Sequence, residues 1–367
     1  MSSPLVPQPP AWRVDWESID AEFDWIRAMK ECPQDPVYHA EGNVWIHTRM
    51  VCEAMAGIPA WRALPEHDQE ILFWAGMLHD VAKPACTRTE NGRITSRGHA
   101  TKGAVMARGI LWRLGMTVED REKVCGLVRF HQWPYYILER PEARASVIRA
   151  SQTSRCDWLA ILAEADVRGR ICSDQARLVE NVELFAEFAR EQGCLASAWP
   201  FANAHSRFLY FRTWPPTRDP SYAAHDDTAF EVTLLAGLPA SGKNTLAARE
   251  FGDVPVISLD DIRDETDGLG AAIDTARQRA REYLRVRQPF VWNATNLREA
   301  VRRQSIDLFA GYGARVRIVC LEAAPGELLR RNRARESTVP ERVIERMVER
   351  WEMPDRTEAH AIEVRGE

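Results

Sequence analysis

Residue types that hold divalent metals stand in the order His47, the adjacent pair His79 and Asp80, His99, His131 and Asp166. Neutral imidazole and carboxylate suit divalent transition metals. Far downstream, Gly237 to Thr245 read "GLPASGKNT". A phosphate-binding loop runs Gly, any four residues, Gly, Lys and then Ser or Thr, whose hydroxyl holds magnesium. Gly237, Gly242 and Lys243 fit that pattern, but Asn244 takes the hydroxyl position and Thr245 follows it one place late. An amide oxygen reaches a metal directly or through water, more weakly than the usual hydroxyl arrangement. The departure therefore bears on metal affinity more than on phosphate binding.

These residues need elements to position them. From about residue 15 to 200 the chain reads as helix after helix, with apolar residues at three- and four-residue spacing and Gly or Pro between several segments. Each metal-binding candidate falls on or near the end of such a helix, so the side chains can converge inside a bundle. Single histidines are usually surface or core residues, and that reading is given to His39, His67, His205, His225 and His360. Lys83 lies one turn past the His79–Asp80 doublet and would point the same way as His79, toward a phosphate or into solvent. Arg97 and Lys102 flank His99 as weaker phosphate candidates. Trp45 and Trp133 adjoin candidates and are expected in the core rather than stacked on a base.

Residues 201–229 are rich in Pro, Asp and aromatics without a sustained period, as in a partly packed connecting segment. From residue 230 to 367 short apolar runs, "EVTLLAG", "VPVISLD", "QPFVWNATN" and "ARVRIVCLEA", alternate with helical stretches. That alternation predicts a parallel sheet with helices on both faces. The fold class is therefore two domains, an all-α helical bundle and then an α/β domain built on a phosphate loop.

Bulk composition narrows the class. A chain of 367 residues with 45% hydrophobic residues and a net charge of −5 is globular, and no overall basic field advertises nucleic acid. No apolar run is long enough for a membrane span, and the N-terminal residues lack the basic start and apolar core of a signal peptide. Eight scattered cysteines without a CxxC pair fit reduced thiols in a cytoplasm.

The α/β half adds polar groups where such sheets bind ligands, at the carboxyl ends of strands. "VISLDDIRDE" ends one run in Asp260, Asp261 and Arg263, and "FVWNATNL" ends another in Asn293. Arg331 and Arg335 in "ELLRRNRARESTVPERVIERM" are spaced to share one side of a helix. Arginines closing over phosphates recur in phosphoryl transfer.

Taken as sets, these motifs resemble known families. "IHTRM", "MLHDVAK", "SRGHATKG", "RFHQW" and "AEADVRGR" resemble the HD-domain phosphohydrolases. That resemblance implies one metal held by His47, His79, Asp80 and Asp166. It implies a second, where present, held by His99 and His131 with Asp80 bridging. Two such metals can activate water and stabilise a displaced phosphate ester. The glycine loop with "LDDIR", "NATN" and "RRNRAR" resembles the polynucleotide kinases of nucleic-acid repair. By that resemblance Asp260 is the general base for a 5′-hydroxyl and Arg263 binds the acceptor's 3′-phosphate. Lys243, Arg331 and Arg335 bind the phosphates of ATP or another nucleoside triphosphate, with Mg2+ or Mn2+. Asp261 is structural or assists the metal, and Asn293 stands where relatives often carry Asp.

The order of the halves is similar to the bacterial HD-domain polynucleotide kinase–phosphatases. It implies a bifunctional enzyme acting on 5′-OH and 2′,3′-cyclic phosphate or 2′-phosphate ends of RNA, with DNA admitted, no membrane partner, and a homodimer admitted. A small-molecule kinase fused to a nucleotide phosphohydrolase stays open, as does an ATP-sensing phosphohydrolase.

Overall fold

The computed structural model describes residues 5–366. They form two compact units, residues up to 111 together with 119–200, and residues 112–118 together with those from 201 onward.

The first unit is helical. Asn43 starts the helix Val44–Gly57, its side chain accepting the Ile46 N–H at 2.9 Å. That helix buries Val44, His47, Val51 and Met55 on one stripe, so His47 faces the core. Glu66–Leu78 is buried along nearly its whole second half and delivers His79 and Asp80 at its C-terminal end. His99–Arg113, Val118–Phe130 and Cys156–Arg168 bring the remaining candidates. Gly169 ends the last of these where a Cβ would stand 2.6 Å from the Val51 backbone nitrogen. Only glycine lets the two chains approach that closely. Trp45 is a core residue, edge-on to Trp16 at 5.5 Å.

The bundle also holds a short antiparallel hairpin, β1 (Arg88–Glu90) and β2 (Arg93–Thr95). Asn91 and Gly92 at its tip have φ of 52° and 76°, the left-handed pair that a two-residue hairpin turn requires.

The second unit contains a five-stranded sheet in the order β4 (Val256–Ser258), β5 (Phe290–Asn293), β3 (Phe230–Ala236), β6 (Ala314–Glu322), β7 (Ala361–Gly366). Every pairing is parallel, with Val232 aligned to both Phe290 and Val316. The burial of β3 and β5 on both faces explains their unbroken apolar runs. β7 extends the expected four runs by an edge strand.

The segment before the sheet is more ordered than its composition suggests. It forms the helix Ala204–Phe211, whose Phe208 and His205 rings stack with His360. Trp112 joins this unit's core, 6.0 Å edge-on from Trp351, and donates to the Ala323 carbonyl at 3.1 Å. Among the described residues no helix is long and apolar enough to cross a membrane.

Candidate functional site: a histidine–carboxylate centre and a phosphate loop

Four imidazoles of the first unit are held by the same nitrogen. His79 Nδ1 lies 2.7 Å from the Gly76 carbonyl, His99 Nδ1 2.7 Å from Ser96, His131 Nδ1 2.8 Å from Val128 and His47 Nδ1 3.2 Å from Gly169. A carbonyl only accepts, so each Nδ1 carries the hydrogen and each Nε2 is left to offer its lone pair. Those Nε2 atoms converge on Asp80. His79 stands 3.2 Å and His47 3.7 Å from its Oδ2, with His99 3.3 Å and His131 3.9 Å from its Oδ1.

Nitrogen also faces nitrogen, at 3.4 Å for His79 with His47 and 3.3 Å for His99 with His131. Two lone pairs at that distance suit a shared cation. Both Asp80 oxygens are buried without a well-aligned hydrogen bond, although Lys83 Nζ lies 2.7 Å from Oδ2. Burial holds His99 and His131 below the usual imidazole range, His131 at about 3, which keeps both rings neutral. The donor set fits divalent metals in two groups, His47–His79–Asp80 and Asp80–His99–His131.

Asp166 is placed differently from the other candidates. Its Oδ1 lies 3.0 Å from His47 Nε2, but Arg170 grips both oxygens at 3.0 and 2.7 Å and Tyr135 donates to Oδ2 at 2.6 Å. Burial would push this carboxyl up; Arg170 and the imidazoles outweigh it and hold it well down. Arg170 and Tyr135 escaped the sequence reading, although Arg170 follows Asp166 at the spacing of one helical turn.

Glu41 was missed as well. Its Oε1 sits 3.0 Å from His47 Nδ1 and 2.8 Å from His39 Nδ1, and its other oxygen accepts the Ile171 N–H at 2.9 Å. A carboxylate behind a ligating histidine fixes the ring and raises its basicity. Burial depresses His47, yet Asp166 and Glu41 together raise it. Lys83 is buried, donating to Gln34 Oε1 at 2.6 Å, while Arg97 and Lys102 are exposed.

In the second unit the glycine loop leaves β3 and opens the helix Lys243–Glu250. Gly237 has φ of 144°, and a Cβ there would meet the Leu321 carbonyl at 2.3 Å. No other residue fits. The loop is braced from β5's far end, where Asn296 Nδ2 donates to Leu235 O at 2.6 Å and the Gly237 N–H donates to Thr295 O at 2.9 Å.

Lys243 Nζ folds back onto the loop, donating to Gly237 O and Leu238 O at 2.9 Å each. Burial pulls its ammonium down to about 8, opposed by Asp260, with Arg335 also within electrostatic reach. Arg331 Nη1 lies 3.8 Å from the point a Cβ on Gly242 would occupy. Asn244, exposed, accepts from the buried Asn293 at 2.8 Å. Thr245 is exposed beside it. Asp260 and Arg263 lie exposed on the short helix Leu259–Glu265, which Ser258 caps by accepting the Asp261 N–H at 3.3 Å.

The arginine helix stops sooner than the spacing of Arg331 and Arg335 suggests. Pro325–Arg333 ends because buried Asn332 pinches the following loop, donating to Val339 O at 2.7 Å and accepting the Val339 N–H at 3.1 Å. Arg335 therefore lies past the helix, in the bend that follows, within electrostatic reach of Lys243.

Comparison with known proteins agrees with this division. Residues 42–162 match the family described as HD domain, and residues 232–354 match a family described as AAA domain. The chain carries an HD domain and, after it, a P-loop domain. A solved structure described as a candidate kinase of Chloroflexus aurantiacus is similar at 16% identity, over 38% of this chain and 86% of that one, with a TM-score of 0.33. A gluconokinase of Sinorhizobium meliloti is similar at 18% identity, over 37% and 82%, with a TM-score of 0.29. At such TM-scores neither likeness bears on activity.

Proposed function

We propose that the chain heals nucleic-acid ends, phosphorylating 5′-hydroxyls from a nucleoside triphosphate and hydrolysing 2′,3′-cyclic phosphate or 2′-phosphate ends. One observation carries the reading. A loop lysine with an acid, Asp260, and an arginine, Arg335, in its field shares a chain with imidazoles converging on one carboxylate. A loop that merely sensed nucleotide would need neither a base nor a second cation.

In the kinase half, Lys243 leaves the Gly237 and Leu238 carbonyls for the triphosphate, whose charge replaces those acceptors. Asp260 accepts the proton of the acceptor hydroxyl as its oxygen bonds to the γ-phosphorus and the bridge to the β-phosphate breaks. Arg331 and Arg335 neutralise the charge that develops, and Arg263, three residues from Asp260, meets the acceptor's own phosphate. Mg2+ or Mn2+ would be held at the nucleotide with Asn244 contributing.

In the HD half, His47, His79 and Asp80 would hold one divalent metal, with Asp166 Oδ1 on the same Nε2 side of His47, and His99, His131 and Asp80 a second. Bound there, such metals supply Lewis acidity toward phosphate oxygen and water. Burial keeps His99 and His131 neutral, and Lys83 offers a cation beside Asp80 for the phosphate.

One oligoribonucleotide carrying a 5′-OH and a 2′,3′-cyclic phosphate tests both halves, given labelled ATP and a panel of divalent metals. Label at the 5′ end and opening of the cyclic phosphate, with different metal optima, are expected. Label transferred to free nucleosides or sugars instead would overturn the nucleic-acid reading.

A further inference from the structure

The metal-binding candidates are shut in on most sides. His47, His79, Asp80, His131 and Asp166 keep at most 2% of their side-chain surface, whereas Lys83 and His99 each keep 8%. Any substrate therefore approaches past Lys83 and His99. Two segments border that side. The hairpin β1–β2 runs from Thr87, just after Lys83's short helix, to Ser96, whose carbonyl fixes His99. The second is the strap of residues 33–41, which touches Lys83 through Gln34 and His47 through Glu41.

The strap carries groups that neither the fold nor the metal ligands account for. Gln34 is 8% exposed; its oxygen accepts from Lys83, but its Nε2 is buried without a hydrogen-bond partner. A buried donor left unmade is costly unless something visits it. Tyr38 keeps 46% of its surface exposed, next to Val37 at 59%, so the strap presents a ring to solvent. Arg93 of β2 reaches over from the hairpin, its guanidinium 5.9 Å from the Tyr38 ring centre and 3.3 Å from the hydroxyl, with Asp35 at 4.0 Å. Strap and hairpin thus meet in an exposed aromatic–arginine pair beside the open side of the centre.

We propose that the strap and the hairpin form the nucleoside-recognition site of the phosphohydrolase half. Gln34 Nε2 donates to an oxygen of the phosphate beside Lys83, Tyr38 stacks on the base of the terminal nucleotide, and Arg93 meets a flanking phosphate. The aromatic and guanidinium planes suit a nucleobase joined to a charged backbone. This rests on the phosphohydrolase reading above and adds the residues that would tell a nucleotide from a bare phosphate ester.

The full-length protein is assayed with adenosine 2′,3′-cyclic phosphate and with glycerol 1,2-cyclic phosphate, which has the same ring of phosphate and no base. Tyr38→Ala is expected to raise KM for the nucleotide about tenfold, the lower end of what stacking one base contributes, and to leave the base-free ester unchanged. Tyr38→Phe keeps the ring and should match wild type on both. Gln34→Leu, aimed at the phosphate, should slow both esters alike.

Equal losses on both esters in Tyr38→Ala, or no loss on the nucleotide, overturn the proposal while leaving the phosphohydrolase reading intact. A wild-type protein that opens neither ester overturns that reading itself, and the recognition site with it.

Discussion

Asn293 Nδ2 donates a hydrogen bond to Asn244 Oδ1 across 2.8 Å, joining the end of β5 to the first turn of the loop helix. These are the two places where the P-loop half departs from the residues expected of it, a hydroxyl at one and a carboxylate at the other. The departures are one feature. Where a hydroxyl and a carboxylate are expected, this chain pairs an amide with an amide, one negative charge fewer, and the two are in contact.

The coupling predicts non-additive losses. Asn244→Ala and Asn293→Ala should each weaken binding of a fluorescent ATP analogue in the presence of Mg2+, and the double variant should lose little beyond the worse single one. Contacting residues typically couple by about 0.5–3 kcal/mol. Strict additivity in titrations of the four proteins would show that the amides act apart.

Lys243 gives the nucleotide site a pH signature. Burial on loop carbonyls pulls its ammonium down to about 8, so at a pH of about 9.5, still below the usual lysine value, it is mostly neutral. Polyphosphate favours the ammonium and raises that value, so binding ATP at this pH should draw in a proton. Calorimetry in buffers of different ionisation enthalpy should report the uptake in wild type and its loss in Lys243→Ala. The same variant should abolish kinase activity and spare the phosphoesterase.

At the histidine centre the expected effects run the other way. His79→Ala should remove bound metal, read by elemental analysis of the purified protein, and end phosphoester hydrolysis without slowing 5′-phosphorylation. Glu41→Gln keeps the shape behind His47 but removes the charge. Changes behind a ligating histidine usually cost about 10–100-fold in metal affinity, which a chelator competition would measure. Loss of both activities from either change would argue against two separate sites.

Stability in the second unit should depend on Arg302 and Glu358, an ion pair with side chains 1% and 6% exposed. The guanidinium donates to both carboxylate oxygens at 2.7 Å and to the carbonyls of Asn296 and Glu352. Arg302→Leu strands a buried carboxylate and should cost about 3–5 kcal/mol. The double variant Arg302→Leu with Glu358→Leu should recover part of that, as seen by denaturant unfolding.

Much of this was legible in the chain, for reasons that differ by half. The helices and strands announced themselves through the spacing of buried apolar residues, and the glycine loop through a pattern that tolerates almost nothing at Gly237. His47, His79, Asp80, His99, His131 and Asp166 stood out together because their successive motifs resemble one family, and the structure brings the four histidines around the Asp80 carboxylate. Glu41 and Gln34 were not, since they lie in an irregular strap with no period to mark them. The hairpin β1–β2 was marked by Asn91–Gly92, a turn signal that a long run of helices overshadowed. The break before Arg335 was hidden because Asn332 stops the helix by a long-range side-chain contact, which spacing cannot reveal. β7 was missed because it is short and only partly buried, although Ile362 to Arg365 alternate apolar with polar as an edge strand does.

Trp112 and the residues up to Val118 belong with the second unit although the chain on either side belongs with the first. The gene therefore has no single seam. A fragment cut to begin at residue 201 keeps every residue of the phosphate loop yet loses the indole that covers Trp351 and bonds Ala323, leaving a raw apolar face. A single crossover at residue 201 would likewise part Trp112 from Trp351 and Ala323, so the unit is defined by its packing and not by one stretch of chain.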